Sequence, residues 1–386
     1  MFFNKLKDIA RGLKTPPVSK IILYLFILAT PLMLYPFEVN GYKVSSREIR
    51  QIMMVSMAII TCSYLQENRW LRYFIVWCVI NWWLNFFIPA SSSIGLFMIL
   101  CALILYIGIR KLLDIGFLSA DKIISLLCFG TVIQIIWMVL QAFEKDPIFY
   151  GITNSGLPNL TKGFRMPIVG WSGNPALLSA SLAMIAFLFL YKGKVWFWIS
   201  VIAIIFLKSF TGMLCLFASG LFYLFCQKLL SKKITLWIIL SCITLGLFTI
   251  FIKFPNFDRI YIWDKLIHST VNSRPIIGRG INFFSQLNII DKTNTPWTEA
   301  HNDYLQMWLE LGFIGVGLFM AFVVNIFKDF FSKIRSHKEI CIASSLVAWL
   351  VLGISLFPMH LAQFSFYAII LLACLDRSHE IKLLQG

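Results

Sequence analysis

Residues 123–143 read IISLLCFGTVIQIIWMVLQAF and contain no charged side chain. A helix needs about 20 apolar residues to cross the roughly 30 Å hydrocarbon core of a bilayer. Further charge-free stretches of this kind recur along the chain, at 73–109, 166–191, 209–227, 234–252 and 340–375. The pattern predicts an all-α membrane protein with many spans.

The composition excludes an ordinary soluble protein, because only 13% of the 386 residues are charged and soluble domains carry about 25%. In a soluble protein the net charge of +16 would indicate nucleic-acid binding. Here the charges lie between apolar stretches, so we expect membrane lipids and no nucleic acid as partners. The nine cysteines lie within or at the ends of apolar spans, without metal-ligand spacing. We therefore expect no disulfide framework, no metal and no cofactor.

The apolar stretches divide into about twelve predicted spans within one polytopic domain, 1–386. They lie near 21–37, 48–65, 71–88, 93–110, 123–143, 172–191, 195–208, 210–227, 234–253, 301–327, 340–357 and 360–375. An even number places both termini on one side. That side carries 21 of the 34 Lys and Arg residues, so both termini are expected in the cytoplasm. Residues 1–20 form a basic, amphipathic cytoplasmic tail suited to anionic headgroups.

Two long outer loops, 144–171 and 254–300, are where a site is expected. The second loop begins with apolar side chains at helical spacing, from Ile260 to Val271. This spacing predicts an amphipathic helix that lies on the outer membrane face or packs on the bundle.

The segment that follows this helix has the features of a phosphate-binding loop. Gly278 and Gly280 flank Arg279, so backbone amides can approach a ligand closely, and a guanidinium binds phosphate bidentately. Arg279 is therefore a candidate phosphate ligand. The alternative is a plain turn between two short helices.

The second loop ends in a candidate base. Thr298 is expected to cap a helix in which His301 is the third residue. The positive helix end would keep His301 neutral, able to accept a proton, and would attract an anion. Asn302, Gln306 and Glu310 continue as a polar stripe down the span, and such stripes usually face a cavity. The alternative is that Gln306 and Glu310 only satisfy neighbouring helices.

Lys208-Ser209-Phe210-Thr211-Gly212 divides 195–227 into two pieces too short for full crossings. Such a turn is tolerable only inside protein or in a watery cavity, into which Lys208 would point. A snorkelling lysine is the alternative. In the first loop, Arg165 is a further phosphate ligand or a headgroup anchor, and Pro175 marks a helix start.

Together these segments resemble the bacterial O-antigen ligase and polymerase superfamily, over residues 160–320. The family's His-Asn-x-x-Leu motif is similar to residues His301 to Leu305, in which Asp303 is the first variable position. Its Glu-x-Gly motif is similar to residues Glu310 to Gly312. The remaining family positions match in the same order, at Arg165, Gly170 to Pro175, Arg259, Trp263, Pro275 to Gly280 and Phe284.

One element departs from the family pattern. A Ser-Arg-Gly signature is usual at a span mouth, and here Thr211 stands where the arginine is expected. Lys208, three residues earlier and thus on nearly the same helix face, is the candidate replacement cation.

The resemblance implies a metal-independent glycosyltransferase that uses a polyprenyl-diphosphate-linked glycan at the periplasmic face of the inner membrane. A ligase would transfer the glycan to lipid A-core, and a polymerase to another repeat unit. His301 would be the catalytic base, with Arg165, Lys208, Arg259, Arg274 and Arg279 as donor ligands. A glycolipid transporter is a weaker alternative, because it would require charges in many spans and internal pseudo-repeats.

Overall fold

The computed structural model describes residues 16–29, 37–39, 42–44, 69–85, 93–143, 175–229, 258–287, 289, 300–332, 335–356, 359 and 362–377. Within these ranges the chain is helical apart from turns and one two-stranded antiparallel hairpin, β1 (Phe37–Val39) and β2 (Tyr42–Val44). The helices are α1 (Pro16–Ala29), α2 (Arg69–Leu84), α3 (Ser93–Asp114), α4 (Ala120–Ala142), α5 (Pro175–Lys192), α6 (Lys194–Phe206), α7 (Phe210–Cys226), α8 (Asp258–Val271), α9 (Asp303–Ser332), α10 (His337–Ser355) and α11 (Ala362–Arg377).

Among the helices that the structure describes, four are long and apolar enough to cross a membrane, namely α4, α5, α9 and α10. Three shorter apolar helices accompany them, at Lys194–Phe206, Phe210–Cys226 and Phe364–Asp376. The prediction of a helical membrane protein is confirmed. The predicted spans 48–65 and 234–253 and the first long loop, 144–171, lie outside the described residues.

Helix α5 is the centre of one half of the bundle, and it packs on α4, α6, α7 and α10. Its side chains from Leu178 to Phe189 are all buried. This helix contains the small residues Ser179, Ser181 and Ala183. In a bilayer the hydrophobic effect does not drive helices together, and small residues favour their association because the backbones can approach closely. In the other half α2 packs on α9, and α3 packs on α11.

A buried ion pair ties α3 to α11. Arg110 Nη1 lies 3.0 Å from Asp376 Oδ2, and the Tyr106 hydroxyl donates a hydrogen bond to the same carboxylate. Charged groups inside a bundle are tolerated when they are paired in this way. Helix α3 runs to Asp114, slightly beyond the predicted end at residue 110.

Helix α10 begins where a capping box is formed. Ser336 Oγ accepts a hydrogen bond from the Glu339 amide, and the Glu339 carboxylate accepts one from the Ser336 amide, at 3.3 and 2.6 Å. Two amides of the first turn are thus satisfied reciprocally, which fixes the register of a helix that contributes its other end to the candidate site.

Candidate functional site

Helix α8 forms one wall of the site and confirms the amphipathic helix predicted in the second loop. Its buried face is formed by Ile262 and Leu266, which are fully covered and pack in a small core with Phe284 and Leu309. Ile260 and Val271, which suggested the helix in the first place, are exposed. The helix therefore packs on the bundle through Ile262 and Leu266 and leaves other apolar side chains, Ile260 and Val271 among them, exposed.

The span that carries the candidate base begins later than predicted. Helix α9 starts at Asp303, and Asn302 caps it through its Oδ1 atom, which lies 3.1 Å from the Leu305 amide. His301 precedes the cap with φ 52°, in the left-handed region. The expectation that His301 is the third helical residue is wrong, because the Asn302 side chain supplies the cap; Thr298 lies outside the described residues.

His301 is neutral near pH 7 for a reason other than the one the sequence suggested. Burial, and then the positive charge of Arg259, lower the pKa of His301 to about 4. Both causes oppose the charged imidazolium. The charge of Arg259, the second residue of α8, thus acts on an uncharged imidazole.

Arg259 connects three parts of the fold. Its Nη1 atom donates a hydrogen bond of 2.7 Å to the carbonyl of Ser355, the last residue of α10. The Ser355 hydroxyl lies 3.4 Å from Thr211 Oγ1. A cation at a helix C-terminus complements the helix dipole. Arg259 therefore joins α8 to the end of α10 and, through it, to the start of α7.

The predicted polar stripe forms a connected, buried network. Gln306 Oε1 accepts from the Ala300 amide at 3.0 Å, and Gln306 Nε2 donates to Glu310 Oε1 at 3.1 Å. The Ala300 carbonyl in turn accepts from Trp263 of α8 at 3.0 Å. The stripe thus holds the segment that bears His301 against α8.

Asp303 fixes the other side of the same segment. Its fully buried carboxylate accepts a hydrogen bond of 2.7 Å from the Met359 amide, between α10 and α11. Hydrogen bonds therefore hold the residues on both sides of His301 to α8, to α9 and to the segment between α10 and α11.

Helix α9 is broken at Gly312, where φ is 71°. The backbone of the 275–280 loop fills the break on both sides. Four hydrogen bonds of 2.9 to 3.2 Å join the two segments: Arg279 N to Leu309 O, Gly280 N to Glu310 O, Phe313 N to Pro275 O and Ile314 N to Ile276 O. The groups that a continuous helix would pair internally are therefore paired with the loop.

This docking corrects the predicted role of the loop glycines. The Gly278 amide donates to the Arg274 carbonyl at 2.8 Å, and the Arg279 and Gly280 amides donate to α9. These three amides are occupied, so they do not form a phosphate cradle. Gly278 and Gly280 serve the close approach of two backbones, and only the arginine side chains remain to meet a ligand.

The two loop arginines are held in different ways. The Arg279 guanidinium lies 4.6 Å from the centroid of the Phe283 ring, a cation–π contact. Arg274 Nη1 donates to Asn85 Oδ1 at 3.2 Å. The structure therefore places two of the predicted donor ligands on one docked loop.

Residues of α2 that sequence reasoning missed complete the arrangement. Trp77 Nε1 donates to the Leu311 carbonyl at 2.8 Å, and Asn81 Nδ2 donates to the Ile277 carbonyl. The available signal was an asparagine pair, Asn81 and Asn85, spaced by one helical turn in an otherwise apolar span.

The predicted break between α6 and α7 is confirmed, but the assignment of Lys208 to the face of Thr211 is wrong. Lys208 lies in the turn with φ 51° and is exposed, and α7 begins at Phe210 with Ser209 as its cap. Thr211 is buried. Helical phase does not continue through a break, so a three-residue spacing does not align the two side chains.

Arg165 lies outside the described residues. Among the described residues, Arg259 is near enough to His301 for its charge to lower the pKa of the imidazole, and Arg274 and Arg279 share the loop docked into the break of α9.

Comparison with known proteins adds no relative to this picture. No protein-family model matches the chain, and no curated protein matches it. The chemistry of the site follows from its own residues: a partly buried, neutral imidazole whose pKa responds to one guanidinium, with two more guanidinium groups on a loop that fills the break in α9.

Proposed function

We propose that this protein is a metal-independent membrane glycosyltransferase that transfers a glycan from a polyprenyl-diphosphate carrier to an acceptor. It acts at the periplasmic face of the bacterial inner membrane, as an O-antigen ligase with lipid A-core as acceptor. About twelve spans and cytoplasmic termini belong to this proposal. The observation that carries it is a partly buried His301, kept neutral by burial and by the charge of Arg259, on a segment that hydrogen bonds hold against α8 and α9.

The reaction needs a base for one proton and positive charge for one leaving group. The acceptor hydroxyl oxygen attacks the anomeric carbon of the donor sugar, and the bond from that carbon to the diphosphate oxygen breaks. The electron pair leaves with the polyprenyl diphosphate, and the hydroxyl proton passes to the neutral imidazole of His301. The products are the glycosylated acceptor, the free carrier diphosphate and a protonated His301, which releases its proton to solvent.

Stabilisation of the leaving group falls to the guanidinium groups. Arg259 lies at the C-terminal end of α10, and Arg274 and Arg279 lie on the loop docked into the break of α9. A guanidinium can bind two phosphate oxygens at once. Fixed charge aimed at a developing anion is the largest single contribution in many transferases. Lys208 and Arg165 are the remaining members of the proposed donor-binding set.

Donor binding also prepares the base. The positive charge of Arg259 lowers the pKa of His301 in the free protein. A diphosphate bound by Arg259 cancels that charge, and a neighbouring anion favours the protonated imidazole. His301 therefore becomes a stronger base when the donor is in place, which couples proton removal to the presence of a leaving group.

The proposal is tested in a strain that lacks this chain, complemented with the wild-type chain or His301→Ala, with glycolipids separated on a gel. Loss of all ligated glycan together with accumulation of lipid-linked polymer in the deleted strain supports the ligase. A core that bears one repeat unit assigns the polymerase reaction instead. An unchanged glycolipid profile would contradict both reactions.

A further inference from the structure

We propose that Asn85, at the C-terminal end of α2, is a positioning residue for Arg274, and that Asn81 holds the loop from which Arg274 projects. Helix α2 thereby becomes part of the donor-binding arrangement. The inference rests on the proposed function, because it assigns Arg274 to a diphosphate ligand.

The Asn85 side chain is buried and its orientation is fixed. Its Nδ2 atom donates to the Asn81 carbonyl at 2.9 Å, and its Oδ1 atom accepts from Arg274 Nη1 at 3.2 Å. The first bond decides which end of the amide faces the arginine, since nitrogen cannot accept a hydrogen bond there. Asn85 therefore presents an oxygen to Arg274 from a position that is closed to solvent.

Asn81 and Trp77 extend this contact along one face of α2. Residues 77, 81 and 85 follow one another at four-residue spacing, which places them on the same helix face. Trp77 and Asn81 each bond to one of the two docked segments: Trp77 to the Leu311 carbonyl of α9, and Asn81 to the Ile277 carbonyl of the loop. The face of α2 thus holds both the broken helix and the loop that fills it.

The contact with Asn85 leaves most of the guanidinium available. Arginine has five N–H donors in a planar fork, and Asn85 takes one of them. Arg274 is otherwise exposed, and an exposed arginine loses conformational freedom when a ligand immobilises it. An anchor on one N–H restricts the side chain beforehand, so less freedom is lost when the remaining donors bind an anion.

The neutrality of the Asn85 amide matters as much as its position beside Arg274. A neutral amide holds Arg274 without cancelling its positive charge, whereas a carboxylate at the same place would form an ion pair and compete with the ligand. Buried asparagines in an apolar helix also carry a desolvation cost, which the bonds to the loop and to Arg274 offset.

The test is a double-mutant cycle on the full-length protein in detergent, with farnesyl diphosphate as the probe and its Kd as the readout. Asn85→Leu and Arg274→Ala are each expected to raise the Kd about three- to tenfold. The double variant is expected to bind no more weakly than Arg274→Ala alone, because Asn85 acts through Arg274. Ser181→Ala, which removes a buried bond of 3.1 Å to Gln134 away from the site, is the matched control and should leave the Kd unchanged.

If Asn85→Leu fails to fold, Asn85→Ser replaces it. The serine hydroxyl can still bond to the carbonyl one turn earlier, but it is too short to hold Arg274, so the same comparison applies. An equal loss of affinity from the Asn85 change with and without Arg274 would overturn the inference and leave the proposed function intact. Absence of farnesyl diphosphate binding by the wild-type protein would overturn the proposed function itself.

Discussion

Gly278 and Gly312 face each other so closely that neither tolerates a side chain. A Cβ atom on Gly278 would lie 2.4 Å from the Glu310 carbonyl oxygen, and one on Gly312 would lie 2.2 Å from the Ile276 carbonyl oxygen. Both residues have φ values above 70°, which L side chains rarely adopt. Two short motifs on separate segments are therefore two halves of one contact.

Substitution of either glycine by alanine should separate the loop from the broken helix. We expect Gly278→Ala and Gly312→Ala each to lower the free energy of unfolding by about 2 to 4 kcal/mol, from the left-handed backbone and the clash together. The double variant should lose less than the sum, because the first change already breaks the shared contact. Thermal or denaturant unfolding in detergent measures these changes.

Gly317 provides the control in the same helix. A Cβ atom there would meet nothing within 4 Å, so Gly317→Ala should be neutral or stabilising by about 0.5 to 1 kcal/mol. If Gly317→Ala and Gly312→Ala destabilise the protein equally, the loss reflects a general intolerance of α9 to alanine. The contact between Gly278 and Gly312 would then not explain the effect of Gly312→Ala.

Removal of the base should abolish transfer without loss of the protein. We expect His301→Ala to reduce glycan transfer to background while its membrane content stays near that of the wild type, because the imidazole is the proposed proton acceptor. The control is His268→Ala, since His268 lies on α8 with a side chain that is 70% exposed. Full transfer by His301→Ala would remove His301 from the mechanism.

The depressed pKa of His301 predicts a specific dependence of stability on pH. An unfolded histidine takes up a proton near pH 6.5, whereas His301 does so near pH 4 when the protein is folded. Between these values the unfolded state binds more protons, so stability falls as the pH is lowered. The expected loss between pH 7.5 and pH 4.5 is about 2.5 kcal/mol.

This loss is measured against His301→Gln, which cannot titrate. Carboxylates also take up protons near the lower pH, so the informative quantity is the difference between the two proteins at each pH. If both proteins lose the same stability on acidification, the pKa of His301 is not depressed.

Arg259→Ala should affect both the donor and the base. Loss of the guanidinium removes a phosphate ligand, and we expect the KM for the lipid-linked donor to rise about tenfold or more. It also removes a positive neighbour, so the pKa of His301 should rise and the acidic loss of stability should shrink. Arg335→Ala is the control, because that guanidinium lies over the rings of Phe330 and Phe331 outside the site. An unchanged KM for Arg259→Ala would exclude it as a donor ligand.

The sequence predicted those parts of the fold that depend on local pattern. Charge-free runs predicted the helices, the short pieces around Ser209 predicted a break, and the spacing of apolar residues predicted α8. It failed where a side-chain bond decides a boundary, as at Asn302, whose capping bond delays the start of α9.

The candidate site was predictable in its members and not in its geometry. The histidine and arginines attract notice because polar groups are rare in this chain. That Gly278 serves a second backbone segment depends on a fold that brings residues 275–280 into the break of α9. Asn81 and Asn85 were missed because two amides in an apolar span carry no charge to mark them.

The break in α9 also orders the assembly of the protein. Backbone groups left open in hydrocarbon cost several kcal/mol each, so α9 cannot settle until the 275–280 loop has docked into it. Asn81 of α2 bonds to the loop and Trp77 of α2 bonds to α9, and both residues are synthesised long before either segment. We therefore expect the 275–280 loop to dock into the break of α9 only when α2 is in place.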